Sequence, residues 1–134
     1  MSLEIGRRER EGIVLLDLEG RLTAGEEAAR LRETLRELAA AGSTRVVLNL
    51  QGVDYIDSTG LGALVIGYTS LKKAGGKLVL LHLNRRTVEL LVFTKLTTVF
   101  EIFAEEQEAV NSFFPDRAIQ RFDILRYLEE HGQE

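Results

Sequence analysis

Apolar and polar positions alternate loosely from Leu3 to Arg10, and most of the polar positions are charged. That pattern suits a sheet edge, where charge discourages pairing with another chain. Glu11-Gly12 reads as a tight turn and Ile13 to Leu18 as a more buried strand, so the two strands predict a hairpin. Thr23-Ala24-Gly25-Glu26 fits a capping box, in which Thr23 accepts from the Glu26 amide and the Glu26 carboxylate reaches back. Behind it Ala28, Leu31, Leu35 and Leu38 form one apolar stripe of a helix, and Gly42 fits its C-terminal cap. Arg45 to Leu50 predicts a short buried strand, and Gln51 to Asp57 a turn. Gly60 to Ala74 predicts a helix that ends at Gly75-Gly76, and Lys77 to Leu83 a strand. Residues 85–95 read as a helix capped by Asn84, Val99 to Phe103 as a strand and Glu105 to Phe113 as a helix.

The order is β-β-α-β-α-β-α-β-α. Strands separated by helices pair in parallel through right-handed crossovers, and the opening hairpin adds one antiparallel pair. The expected fold is therefore a single α/β domain with a mixed, mostly parallel sheet flanked by helices. Continuous apolar strands such as Leu78-Val79-Leu80-Leu81 suit the middle of such a sheet. The one proline, Pro115, marks a change in character. We place a compact domain at 1–112 and a helical extension at 113–134. In the extension Ala118, Ile119, Phe122, Leu125 and Leu128 fall at helical spacing, with Asp116 as a cap. That stripe either packs back on its own domain or serves as a dimer or partner contact.

Composition narrows the function. The chain has 134 residues, 45% of them hydrophobic and 28% charged, which is ordinary for a folded soluble protein. A net charge of −4 argues against nucleic-acid binding, which needs clustered Lys and Arg. Arg7-Arg8, Arg10 and Arg85-Arg86 are interleaved with acids and read as solvated faces. There is no cysteine, so thiolate metal sites, thiol catalysis and disulfides are excluded. No apolar run is long enough for a membrane span, and Met1-Ser2-Leu3-Glu4 does not open a signal peptide, so a cytoplasmic protein is expected.

The densest chemistry is Asp54-Tyr55-Ile56-Asp57-Ser58-Thr59-Gly60-Leu61-Gly62, which leaves a strand and opens a helix. Helix N-terminal amides and the positive end of the dipole lie there. Asp57-Ser58-Thr59 reads either as an ordinary cap or as a recognition site. A phosphate on Ser58 would find amide donors and would meet the repelling Asp57 carboxylate. Catalysis finds little support: the Gly-x-Ser-x-Gly elbow is absent and only His82 and His131 are available as imidazole bases. His82 reads as a core or edge residue inside a strand, and His131 as a dipole-favoured residue in a last helical turn. No phosphate-binding glycine loop is present, so no nucleotide cofactor is expected.

Asp57-Ser58-Thr59-Gly60-Leu61-Gly62 after an apolar strand resembles the signature of STAS domains of the anti-sigma factor antagonist type. The resemblance covers about residues 3–110 and includes Val47 to Leu50, Gly75-Gly76 and Leu90 to Leu96. It implies a protein that binds an anti-sigma factor, itself a serine kinase that holds the ATP, and so frees a sigma factor. It further implies that Ser58 is the phosphoacceptor, that phosphorylation ends binding, and that a metal-dependent phosphatase reverses it. Asp57, Thr59, Gly60, Leu61 and Gly62 would complete the partner-binding loop. Many antagonists carry Gly-x-Leu-Asp before the first helix. Here the segment is Gly20-Arg21-Leu22-Thr23, which sets Thr23 at the partner-contacting position of that acid. Other branches of the family serve as scaffolds in stress-signalling assemblies or as cytosolic subunits of lipid or anion transport systems, without kinase control.

Overall fold

The computed structural model describes residues 3–131. The chain runs β1 (Leu3–Arg10), β2 (Ile13–Leu22), α1 (Glu26–Ala40), β3 (Arg45–Ile56), α2 (Ser58–Lys73), β4 (Lys77–Leu81) and α3 (Arg85–Phe93). A short 3-10 turn (Leu96–Thr98) follows, then β5 (Ile102–Phe103), α4 (Glu106–Asn111) and α5 (Ile124–His131). The five strands form one sheet in the order β1-β2-β3-β4-β5. Only the β1–β2 hairpin is antiparallel.

The period-two alternation of a strand sorts the core onto two faces. Val14, Leu16, Leu18, Val46, Leu48, Leu50, Leu78 and Leu80 point to the face covered by α1 and α2. Ile13, Leu15, Val47, Val79, Leu81 and Phe103 point to the other face, under Ala109 and Val110 of α4. Phe113, Phe114 and Ile119 pack beside them. Because central strands are buried on both faces, they read as unbroken apolar runs.

Next to the second face, Arg8 donates to Asp17 at 2.7 and 3.1 Å and to Glu106 at 2.7 Å. Arg10 also reaches Glu106, and Asn49 donates to Asp17 at 2.8 Å. The Arg8 guanidinium holds the Asp17 carboxyl below the usual carboxylate range. The basic N-terminal cluster is thus neutralised within the fold.

Several elements differ from the sequence pattern, each for a visible reason. The turn expected at Gln51–Asp57 is the second half of β3. Strand β2 continues to Leu22 and pairs with it as far as Leu22↔Ile56, with irregularities at Asp17/Glu19 and Gly20/Arg21. Strand β4 stops at Leu81, so His82 lies just past it at φ 60, half-buried, its amide donating to the Phe103 carbonyl at 3.1 Å. Helix α3 ends at Phe93 because Lys95 turns left-handed at φ 63. Strand β5 shrinks to Ile102–Phe103, and α4 to Glu106–Asn111.

The largest correction is the tail. Ala118, Ile119 and Phe122 are not helical, and Asp116 caps nothing. The Phe122 amide donates to the Ile102 carbonyl at 2.8 Å, so this segment straps the open edge of β5. The Gln120 amide donates to the Glu108 carboxylate at 2.7 Å. The helix starts later, at Ile124, where Asp123 accepts from the Arg126 amide at 3.0 Å. Phe122 and Ile124 pack against the main core, so the extension folds back on its own domain. His131 does sit in the last turn of α5, its ring stacked on Tyr127 at 4.2 Å.

Candidate functional site

Strands β2 and β3 end side by side, at Leu22 and Ile56, and α2 starts two residues later. Asp57 fills the gap in an extended conformation (φ −95°, ψ −177°), as an N-cap residue should. One carboxylate oxygen accepts from the Gly60 amide at 2.8 Å. The other accepts from the Ala24 amide at 2.9 Å, across from the β2–α1 loop. The Asp57 amide donates to the Leu22 carbonyl at 3.2 Å. Asp57 therefore joins two loops while capping one helix. The Gly60 and Ala24 amides hold its carboxyl below the ordinary aspartate range.

The capping box expected at Thr23 does not form. The Thr23 carbonyl takes the Ala28 amide at 3.1 Å, and α1 begins at Glu26 after Gly25 at φ 97 with no side-chain cap. A distant residue, Asp57, holds this loop through the Ala24 amide. The same contact brings Thr23 alongside the start of α2, half-buried, next to the Ala24 amide that Asp57 holds.

Within the hexapeptide, side chains divide by direction. Ser58 and Thr59 are exposed, whereas Gly60 is buried and Leu61 is 7% exposed, facing the core. The Ser58 hydroxyl makes no hydrogen bond among the described residues and stands free at the first position of a 16-residue helix. Gly60 is required by space: a Cβ there would lie 2.1 Å from the Leu22 carbonyl oxygen. Gly62 has nothing within 4 Å of its Cβ position. All seven predicted site residues therefore gather at one end of the sheet, at the C-terminal ends of β2 and β3.

Two features of this end escaped the sequence pattern. The Tyr55 ring has the Arg21 guanidinium 5.3 Å from its centroid and that of Arg86 at 5.2 Å. Asn84, predicted only as a cap, accepts from the Thr87 amide at 2.9 Å and also donates to the Val53 carbonyl at 3.1 Å. It ties α3 to the extended half of β3. These residues are far apart in sequence: the register of β2 against β3 sets Arg21 beside Tyr55, and the docking of α3 on β3 brings Arg86.

Among the described residues, no helix is long and apolar enough to cross a membrane, and no group of acids and histidines is placed to hold a metal. The STAS domain family profile matches residues 4–109. The anti-sigma-B factor antagonist of Bacillus subtilis is 32% identical over 110 residues, covering 82% of this chain and 99% of that protein. Its Listeria monocytogenes namesake is 32% identical over 112 residues, covering 81% and 93%. Among solved structures, an anti-sigma factor antagonist from Mycobacterium paratuberculosis has a TM-score of 0.72 at 19% identity, covering 84% of this chain and 94% of its own. The Bacillus cell fate determinant SpoIIAA in its phosphorylated form has a TM-score of 0.64 at 20% identity, covering 83% and 98%. These two share the fold. The profile stops at residue 109, so the strap and α5 lie beyond it. On the family match across the sheet and the identity to its relatives, the chain belongs to the STAS domain family, among the anti-sigma factor antagonists, which are binding proteins and not enzymes.

Proposed function

We propose that this chain sequesters an anti-sigma factor through the end of the sheet formed by Asp57–Gly62 and Thr23, and that phosphorylation of Ser58 releases it. The anti-sigma factor is a serine kinase that brings its own ATP, and a phosphoserine phosphatase resets the switch. The observation that carries the reading is the placement of Ser58. Its hydroxyl is exposed at the first turn of α2, one residue from a carboxylate that already takes the Gly60 amide.

A phosphate there adds about −1.5 to −2 charge at pH 7. Asp57 already takes the Gly60 and Ala24 amides, so the added charge meets a carboxylate at this helix start. Desolvating two like charges at an interface costs on the order of several kcal/mol, enough to end binding without a change of fold. The names of the relatives, antagonists of anti-sigma-B factor, favour the same partner class. Thr23 replaces an acid with a neutral hydroxyl, so it offers a hydrogen bond where the usual antagonist offers a charge.

The test is a pull-down from source-cell lysate with ADP or ATP, using wild type, Ser58→Ala and Ser58→Asp, with mass spectrometry of the bound proteins and of Ser58. We expect an anti-sigma factor ATPase on wild type and Ser58→Ala, at least tenfold less on Ser58→Asp, and phosphate on wild-type Ser58 under ATP. Equal capture by all three would overturn the switch.

A further inference from the structure

An apolar groove of about 620 Å³ runs beside the switch, walled by Tyr55 and Ile56 of β3, Leu90, Val92 and Phe93 of α3, and Leu128 of α5. We propose that it receives a segment of the anti-sigma factor that carries apolar side chains flanked by carboxylates. The proposal rests on the reading of the Ser58 end as the binding end.

Three observations carry it. The groove is continuous with that end: Tyr55-Ile56 run straight into Asp57, the cap from which Ser58 starts α2. A partner seated over Ser58 reaches the groove within a few residues. The groove also leaves apolar surface unburied: of its lining residues, Phe93 is 87% exposed and Val92 38%. Aromatic anchors at an exposed rim are what a docked segment buries. Finally, the rim is basic in a usable way. Arg21 and Arg86 both lie against Tyr55, and neither has a carboxylate partner among the described residues. Glu89, the acid lining the groove, is paired with Arg85 at 3.1 Å. Stacked guanidinium groups keep their N–H edges for an incoming carboxylate.

One wall, Leu128, belongs to α5, beyond the end of the family match at residue 109. The groove is thus completed by a piece that the shared domain does not include. Its role is to add affinity and partner choice to a switch end whose fold is common to the family.

Site-specific photocrosslinking in source cells tests this on the full chain. One variant carries p-benzoylphenylalanine at position 93 and a second carries it at position 59, beside Ser58. Phe93 is almost wholly exposed, so its replacement leaves the fold intact, which a melting curve verifies. We expect both to crosslink the same protein, identified by mass spectrometry as an anti-sigma factor ATPase. With that protein purified, Phe93→Ser is expected to raise its Kd at least tenfold and Arg86→Ala about threefold. A crosslink from position 59 alone, or a change below twofold for Phe93→Ser, would overturn the groove and leave the switch standing. No crosslink to an anti-sigma factor from either position would overturn both. A crosslink from position 93 to a second copy of this chain would assign the groove to a homodimer instead.

Discussion

The start of α2 and the tail beyond α4 are both held by a few polar contacts, yet they are built on different logic. At α2 one short side chain, Asp57, accepts from two backbone amides, one in the helix and one in the β2–α1 loop, and Gly60 lets the helix touch the β2 carbonyl. Each of these contacts involves main chain, so Asp57 and Gly60 tolerate little change of residue. The tail lies along β5 by one backbone bond from Phe122, by apolar packing of Phe122 and Ile124, and by side-chain ion pairs. Apart from that one backbone bond, these contacts are between side chains on an exposed edge. The switch proposed at Ser58 needs the first kind of construction, because its geometry must survive partner exchange. An added wall for docking can use the second.

The sharpest way to break that contrast is Gly60→Ala. The new Cβ would lie 2.1 Å from the Leu22 carbonyl oxygen, a backbone atom that cannot move without shifting β2. Alanine gains up to about 1 kcal/mol in helix propensity. Overpacking of this kind costs about 1–3 kcal/mol and occasionally more. We expect a net destabilisation of about 2 kcal/mol in urea unfolding. An unchanged midpoint would show that the α2–β2 approach is loose.

Asp57→Ala comes next. It removes the cap of α2 and the tie to Ala24, so we expect a loss of about 1–2 kcal/mol at pH 7. The pH dependence has a definite sign. The folded carboxyl titrates below its unfolded value, so its stabilisation is fully present above about pH 4, where the unfolded group ionises, and is lost as pH falls through the folded pKa. The gap between wild type and Asp57→Asn should therefore narrow when urea unfolding is repeated near pH 3. A gap that widens in acid would show that the charge at this cap is unfavourable.

Most of the α/β order was legible in the sequence because buried strands and the α1 stripe write their periods plainly. Asn84 was read correctly as a cap because its acceptor bonds an amide three residues away. The failures share a cause. Thr23 makes no side-chain cap, and its loop is held instead by Asp57, 33 positions from the Ala24 amide that it takes. The second half of β3 was missed because its polar residues pair with an equally polar extension of β2. The tail was misread because Ala118, Ile119 and Phe122 fit a helical period, while the actual partner, Ile102 on an unpaired edge, is invisible to a local pattern. For the candidate site, Asp57–Gly62 stood out by residue type and order. The Arg21–Tyr55–Arg86 cluster was missed, since strand register brings in Arg21 and the docking of α3 brings in Arg86.

Gly62→Ala sharpens the comparison inside α2 itself. Two residues from Gly60, the Cβ position of Gly62 is empty, and its backbone is ordinary helix. The same substitution should here stabilise the protein by about 0.5–1 kcal/mol, through helix propensity and a less flexible unfolded chain. Opposite signs at the two glycines would separate a glycine needed for space from one that the fold does not need. Destabilisation at both would mean that the helix N-terminus is crowded on more sides than the β2 carbonyl.

Arg121→Gln is expected to have the smallest effect. Arg121 reaches Glu101 at 2.6 Å, but its side chain is 58% exposed, and Glu101 keeps Lys77 at 2.7 Å when Arg121 is gone. An exposed pair of this kind contributes about 0–1 kcal/mol, and the lower end applies where the acid retains another cation. We expect a loss below about 0.5 kcal/mol, with α5 still in place by its amide exchange. The reason is that the strap is fixed by the Phe122 amide on Ile102 and by Phe122 and Ile124 in the core, none of which depends on charge. A loss above about 1 kcal/mol, or fast exchange across residues 124–131, would show that ion pairs hold the tail. The groove wall at Leu128 would then loosen with ionic strength, and docking there would weaken at high salt for a reason internal to this chain rather than at the partner interface.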